Sequence, residues 1–334
     1  MSEHYHIYGI GAALVDTEIK VTDEDLAAMD VAKGVMTLVD EDRQHQLIRY
    51  LNNHLIASQR ASGGSGANTI IAASYFGSRC FYSCKVADDD NGAFYLNDIQ
   101  AAGVDYPAHL APPAGITGKC LVMISPDAER SMNTFLGISA TLSVNELHPP
   151  AISAADYVYI EGYLVSSDTG RAAAIELRRQ AESRKTLTAL SLSDPAMVEF
   201  FGEGLREMIG EGVDLIFCNK AEALAFTGSD DLESAVERMQ AYARTFAITC
   251  GADGALIFDG KTLHKVDGHP VEAIDTNGAG DMFAGAFLFA LGDGCDFKTA
   301  GQFASRAAAE VVSQYGPRLR PEQHQALRQA FFGQ

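Results

Sequence analysis

Basic residues are scarce in this chain: 25 lysines and arginines stand against 44 aspartates and glutamates in 334 residues, a formal net charge of -19. A surface of that sign repels nucleic acid and anionic membranes, so neither is expected as a general partner. A polyanion such as ATP would then need a local site of backbone N–H groups, cationic side chains or Mg²⁺. Paired cysteines are missing as well. The six at 80, 84, 120, 218, 250 and 295 form no C-x-x-C, and Cys218 and Cys250 sit in apolar runs, which reads as reduced thiols used as small hydrophobes. No apolar run reaches 18 residues, and MSEHYHIYGIGAAL lacks a basic start, so a soluble cytoplasmic protein is expected. Internal repeats and true linkers are also absent.

What the chain does have is a 47% apolar composition, enough to bury a large core. Its second half alternates strand-like runs (ADYVYIEG, TLTALSLS, DLIFCN, TFAITCG, ALIFDG) with helical patterns such as TGRAAAIELRRQAESR and DLESAVERMQAYAR. That alternation predicts βαβ units and an α/β fold of three αβα layers around a mostly parallel sheet. FKTAGQFASRAAAEVVSQYG and PEQHQALRQAFF read as closing helices. The first 135 residues are less regular: VDTEIKV alternates like a half-exposed strand, EDLAAMD and EDRQHQLIRYLNNHL read as helical, and GKCLVMISPDAERSMNTF as short strands. The expected division is a body of residues 1–14, 51–104 and 136–334, with 15–50 and 105–135 forming a small β-rich lid.

Four short stretches carry chemistry. YGIGAAL has a G-x-G after a strand, but Leu14 stands where the third glycine of a dinucleotide site belongs and no helix follows. GGSGANTIIAASYFG (63–77) is a glycine-rich turn entering a helix of small residues. Its N–H groups are open at the helix start, and Asn68 beside them can bridge ligand hydroxyls. CNKAEALAFTG (218–228) ends a strand and starts a helix: Asn219 and Glu222 form a capping-box pattern, and the Glu222 carboxylate is equally placed to help hold hydrated Mg²⁺. DTNGAGD (275–281) is the most specific. Gly278 and Gly280 let successive N–H groups face one concavity at a helix start, and a carboxylate at Asp281 has a use there if it deprotonates a hydroxyl that attacks phosphorus.

Together these stretches resemble the ribokinase-like (PfkB) family of carbohydrate and nucleoside kinases. DTNGAGD matches the family's C-terminal signature, GGSGAN its N-terminal glycine signature and NKAE its N-x-x-E motif; KVADDDNG (85–92) resembles its V-G-x-D-x-x-G element, with Ala87 replacing a glycine. The resemblance implies an ATP-dependent phosphotransferase using Mg²⁺. Asp281 would be the base, and Gly278, Ala279 and Gly280 the anion hole. Asp16, Gly64 and Asn68 would grip acceptor hydroxyls; Asn219 and Glu222 would organise Mg²⁺ and phosphate, and Thr249 and Gly251 would lie by the ATP. It further implies a K⁺ site near Asp275 and Thr276 and a monomer or homodimer. KGVMTLVDEDRQHQL and ERSMNTFLGISATL resemble adenosine kinases more than ribokinase or fructokinase. By that likeness Arg130 would approach the transferring phosphate, while Met36, Leu38, Met132, Thr134 and Leu136 would line an apolar slot suited to a purine. Ala12 replaces the asparagine of that branch, so both acceptor classes stand: a nucleoside phosphorylated at its 5′-hydroxyl, adenosine first, or a sugar such as fructose, ribose or 2-keto-3-deoxygluconate.

Overall fold

A computed structural model describes residues 4–53, 59–127 and 129–333. In chain order its strands are β1 (Tyr5–Ile10), β2 (Leu14–Lys20), β3 (Met36–Leu38), β4 (Gln59–Gly63), β5 (Cys80–Ser83), β6 (Val104–Asp105), β7 (Gly118–Ile124), β8 (Arg130–Phe135), β9 (Ala155–Ile160), β10 (Leu187–Ser191), β11 (Val213–Asn219), β12 (Ala243–Thr249), β13 (Ala255–Phe258) and β14 (Leu263–Val266). Among the described residues they form two sheets. The larger runs β14-β13-β12-β11-β10-β9-β1-β5-β6. It is parallel from β12 to β6, and β13 and β14 add antiparallel at one edge.

Parallel strands need cover on both faces, and β1 shows how the sequence supplies it. Ile7 joins one buried apolar cluster with Phe76, Phe217 and Phe287, while Tyr8 and Ile10 join another with Ile160, Leu177 and Phe246. On the first face, helix Ser65–Phe76 lies against helix Ala279–Gly292. Their closeness comes from small residues: a Cβ on Gly285 would stand 2.5 Å from the Thr69 carbonyl oxygen and 2.9 Å from Ala72. That packing brings the starts of both helices to one end of the sheet.

The smaller sheet, ordered β3-β8-β7-β2-β4, is the expected lid. Helices Asp23–Ala28 and Glu41–Tyr50 cover its outer face through Ile19, Leu26, Leu47, Leu121 and Met123. Its composition differs from the sequence division in two places. Residues 59–63, expected in the body, pair antiparallel with β2 and close the lid sheet. Asp105, expected in the lid, ends the edge strand β6 of the body. The helix read from DLESAVERMQAYAR is also shorter, Leu232–Met239, because Ala243 and Arg244 already belong to β12. Residues 54 and 55, at the end of the helical reading that began at 41, lie outside the described residues. All six cysteines are free thiols, and among the described residues no helix is long and apolar enough to cross a membrane.

Candidate active site

A cleft of about 760 Å³ lies between the lid and the carboxyl ends of the parallel strands, where open α/β sheets place their ligands. Every residue singled out above for a functional role lines it. The order of strands brings them there. Asn219 and Thr249 are register partners at the ends of β11 and β12, and Gly251 lies two residues on.

The starts of helices Ser65–Phe76 and Ala279–Gly292 form the floor. Their N-caps, Gly64 (φ 94°) and Gly278 (φ 76°), carry no side chain to bond the first-turn N–H groups. Gly278 must be glycine: its φ is left-handed, and a Cβ there would lie 2.4 Å from the Pro317 carbonyl oxygen. A Cβ on Gly280 would meet nothing within 4 Å, so this turn faces open space. At the first start the Gly66 N–H is taken by the Glu161 carboxylate at 2.9 Å, so the open turn at Gly278–Gly280, at the start of the second helix, is the site for phosphate.

Asp281 stands between these turns. Its Oδ1 accepts from the Ser65 hydroxyl at 2.5 Å and its Oδ2 from the Asn68 amide at 3.2 Å. Burial raises its pKa to about 6, and the bonds from Ser65 and Asn68 hold the rise down. A carboxylate so placed is ionised at neutral pH yet basic enough to take a proton. Asn68, expected to grip the acceptor, therefore also orients the Asp281 carboxylate. Its own Oδ1 is buried and accepts no bond among the described residues, which leaves it an acceptor for a ligand hydroxyl.

Asp16 faces the cleft from β2. A Cβ on Gly63 would fall 2.1 Å from its carboxyl, so the glycine makes the room. Burial pushes Asp16 up to about 7 against the pull of the Arg318 guanidinium. Arg318 in turn donates to Ser62 and Asp98 at 3.2 Å each, tying the C-terminal segment to β4. Met36, Leu38, Met132 and Leu136 line the roof, with Cys120 and Thr134 between them, where Thr134 donates to the Cys120 thiol.

Asn219 and Glu222 form a full capping box: each side chain bonds the other's backbone N–H at 2.9 Å, and the Asn219 amide donates to the Glu222 carboxylate at 2.5 Å. Burial holds Glu222 up near 7. Among the described residues no three acidic, histidine or cysteine side chains gather as a metal cage. The Glu222 carboxylate does line the cleft, a placement that fits a hydrated Mg²⁺ held mainly by phosphate oxygens and water.

Two expected residues carry protein partners of their own. Arg130 is the sole basic side chain among the described residues lining the cleft, but its guanidinium already binds Glu18 at 3.0 Å and Asp275. Asp275, expected beside K⁺, is 3% exposed and also accepts the N–H groups of Asn277 (3.0 Å) and Gly316 (2.7 Å).

Sequence reasoning missed Glu161, at the end of β9. It is 1% exposed, accepts the N–H groups of Ala12 (2.6 Å) and Gly66 (2.9 Å), and is raised to about 7 by burial. Its carboxylate pins the turn after β1 to the turn that carries Ser65 and Asn68. A glutamate closing the apolar run YVYI is the signal that was available. Ser65 was visible inside GGSGAN, but not as a partner of Asp281. Asp89, from the stretch KVADDDNG, is structural: it caps helix Asp90–Ala101 and takes both the N–H and the hydroxyl of Thr117.

Residues 35–324 match the pfkB family carbohydrate kinase description. An adenosine kinase of Saccharomyces cerevisiae is 27% identical over 92% of this chain and 95% of its own length. Among solved structures, the adenosine kinase of Sinorhizobium meliloti superposes with a TM-score of 0.90 at 32% identity, covering 98% of this chain and 100% of its own. A probable sugar kinase of Rhizobium etli gives a TM-score of 0.90 at 30% identity, covering 99% of each chain.

Proposed function

The chain belongs to the pfkB family of carbohydrate kinases and is an ATP-dependent phosphotransferase; from that premise we propose that its acceptor is a nucleoside, adenosine first, phosphorylated on the 5′-hydroxyl. One observation carries the reading: Asp281 sits where two helix starts converge, beside the open turn at Gly278–Gly280, with a slot walled by Met36, Leu38, Met132 and Leu136 opposite. A purine fits walls of that kind, whereas a second polar sugar would leave its hydroxyls unpaired. The adenosine kinase relatives support the same choice.

In this account Asp16 and the free Oδ1 of Asn68 hold the ribose hydroxyls. Asp281 takes the proton of the 5′-hydroxyl as its oxygen bonds the γ-phosphorus and the bond to the β-phosphate oxygen breaks, releasing ADP. The N–H groups of Gly278 and Gly280 receive the charge on the transferring oxygens, joined by that of Ala279 as its long 3.3 Å bond to the Thr276 carbonyl gives way. Mg²⁺ supplies charge neutralisation on the phosphates, and Asn219 and Glu222 would hold its water shell. Thr249 and Gly251 border the nucleotide. Closure of the lid excludes water and suppresses idle ATP hydrolysis.

The sugar reading has its own support in the Rhizobium etli neighbour and in Ala12. The test is a screen of adenosine, inosine, guanosine, ribose, fructose and 2-keto-3-deoxygluconate with ATP, the product identified by ³¹P NMR. Adenosine 5′-monophosphate as the best product is expected. A free sugar with the higher kcat/KM overturns the acceptor and leaves the kinase.

A further inference from the structure

The loop entering the anion hole already contains a cation. Asp275, the first residue of DTNGAGD, is almost fully buried, and a buried carboxylate needs a counter-charge. It receives one from Arg130, whose side chain is only 8% exposed. Two backbone N–H groups, from Asn277 and Gly316, take up further acceptor positions of the same carboxylate. Next along, the Thr276 carbonyl accepts the N–H of Ala279 at 3.3 Å. A monovalent metal ion at Asp275 would therefore lie against a guanidinium, in a buried setting where like charges repel strongly. The donor set does not fit the K⁺ site that the family resemblance implies.

We infer that the Arg130 guanidinium is the resident cation of the loop Asp275–Gly280, in the place a monovalent metal would take, and that the enzyme needs no K⁺. Because Arg130 stands on β8, and its second partner Glu18 on β2, this cation belongs to the lid. The lid thereby carries the charge that orders the anion hole, a coupling that a diffusible ion does not provide.

Thermal unfolding of the full chain, without nucleotide or acceptor, tests this apart from any question of substrate. Melting is followed in KCl and in tetramethylammonium chloride at equal ionic strength, for the parent and for Arg130→Met. The parent curves superimpose. The variant, left with Glu18 and Asp275 uncompensated, melts about 1–2 °C higher in KCl than in tetramethylammonium, as expected for a chain of 334 residues if K⁺ restores about 1 kcal/mol. A K⁺-specific rise in the parent overturns the inference, as does a variant indifferent to K⁺. Should Arg130→Met not fold, the parent's kcat in the same two salts decides: equal values support the resident cation, and a several-fold gain in K⁺ overturns it.

Discussion

In the floor of the cleft Asp281 stands between two helices buried along most of their length, whereas in the roof Leu38 is 45% exposed on a three-residue edge strand. The floor is held by packing: Gly285 against Thr69 and Ala72, Glu161 on two backbone N–H groups, Ser65 and Asn68 on the base. The roof is a small sheet tied to the body by Val15, which joins the body's core cluster, and by polar contacts, among them Arg130 with Asp275 and Arg318 with Ser62. Dense packing suits groups that must stay within a fraction of an ångström of a reacting atom, and sparse packing suits a part that opens and closes. On the proposed function, reaction and acceptor choice would then reside in separate halves of the cleft, and substitutions should divide accordingly.

The largest effect is expected in the floor. Asp281→Asn keeps the size of the base and removes its basicity, which costs on the order of 10²- to 10⁴-fold in kcat. Binding of ATP, measured by calorimetry, stays close to the parent. Half of the parental turnover in this variant would break the division at its strongest point.

Ser65→Ala sharpens the comparison within the floor. The Ser65 bond holds the pKa of Asp281 down, so removing it lets that pKa climb. A base is active when unprotonated, and activity therefore falls as pH drops through the pKa of the folded enzyme. The acid limb of kcat/KM, expected near pH 6 in the parent because Asp281 is raised to about 6, moves upward by about one pH unit. A profile that does not move would show that Ser65 merely fills space. Asp16, Glu161 and Glu222, each raised to about 7, titrate nearby, so the limb belongs to the cleft as a set.

The smallest effect is expected at Glu222, on the nucleotide side. Glutamine keeps one capping contact to the Asn219 N–H but turns an NH₂ toward the Asn219 amide, so the box is weakened without being lost. Glu222→Gln should raise the Mg²⁺ concentration needed for half-maximal rate several-fold while the melting temperature shifts by only a few degrees. A Mg²⁺ titration overlaying that of the parent would assign the pair to capping alone.

The same contrast explains what could be read in advance. A helix start gathers neighbouring residues, so the proposed anion hole and base are contiguous in DTNGAGD, and the paired turn is contiguous in GGSGAN. The body strands announced themselves because burial on both faces demands unbroken apolar runs. The roof is assembled from five strands separated in sequence, and its β4, QRASG, has too little apolar character to signal a strand; only pairing with β2 makes it one. The exposed edge strand β14, LHKV, was silent for a similar reason. Glu161 and Arg318 act on residues far away in the chain, Ala12 and Ser62, and no local spacing encodes such a contact. Arg130 was visible as a residue, but its pairing with Asp275 was not.

The most direct test of the claim that the roof chooses the acceptor while the floor does the chemistry is the ratio of kcat/KM for adenosine to that for ribose, in the parent and in Leu136→Asp. Leu136 is half-buried in the roof wall, and a carboxylate there would face the base of a bound nucleoside. The account predicts a parental ratio well above one. In Leu136→Asp the adenosine term should fall by several kcal/mol equivalent, about 10²-fold or more, while the ribose term barely changes. A variant in which both acceptors fall together, or a parent that prefers ribose, would contradict it.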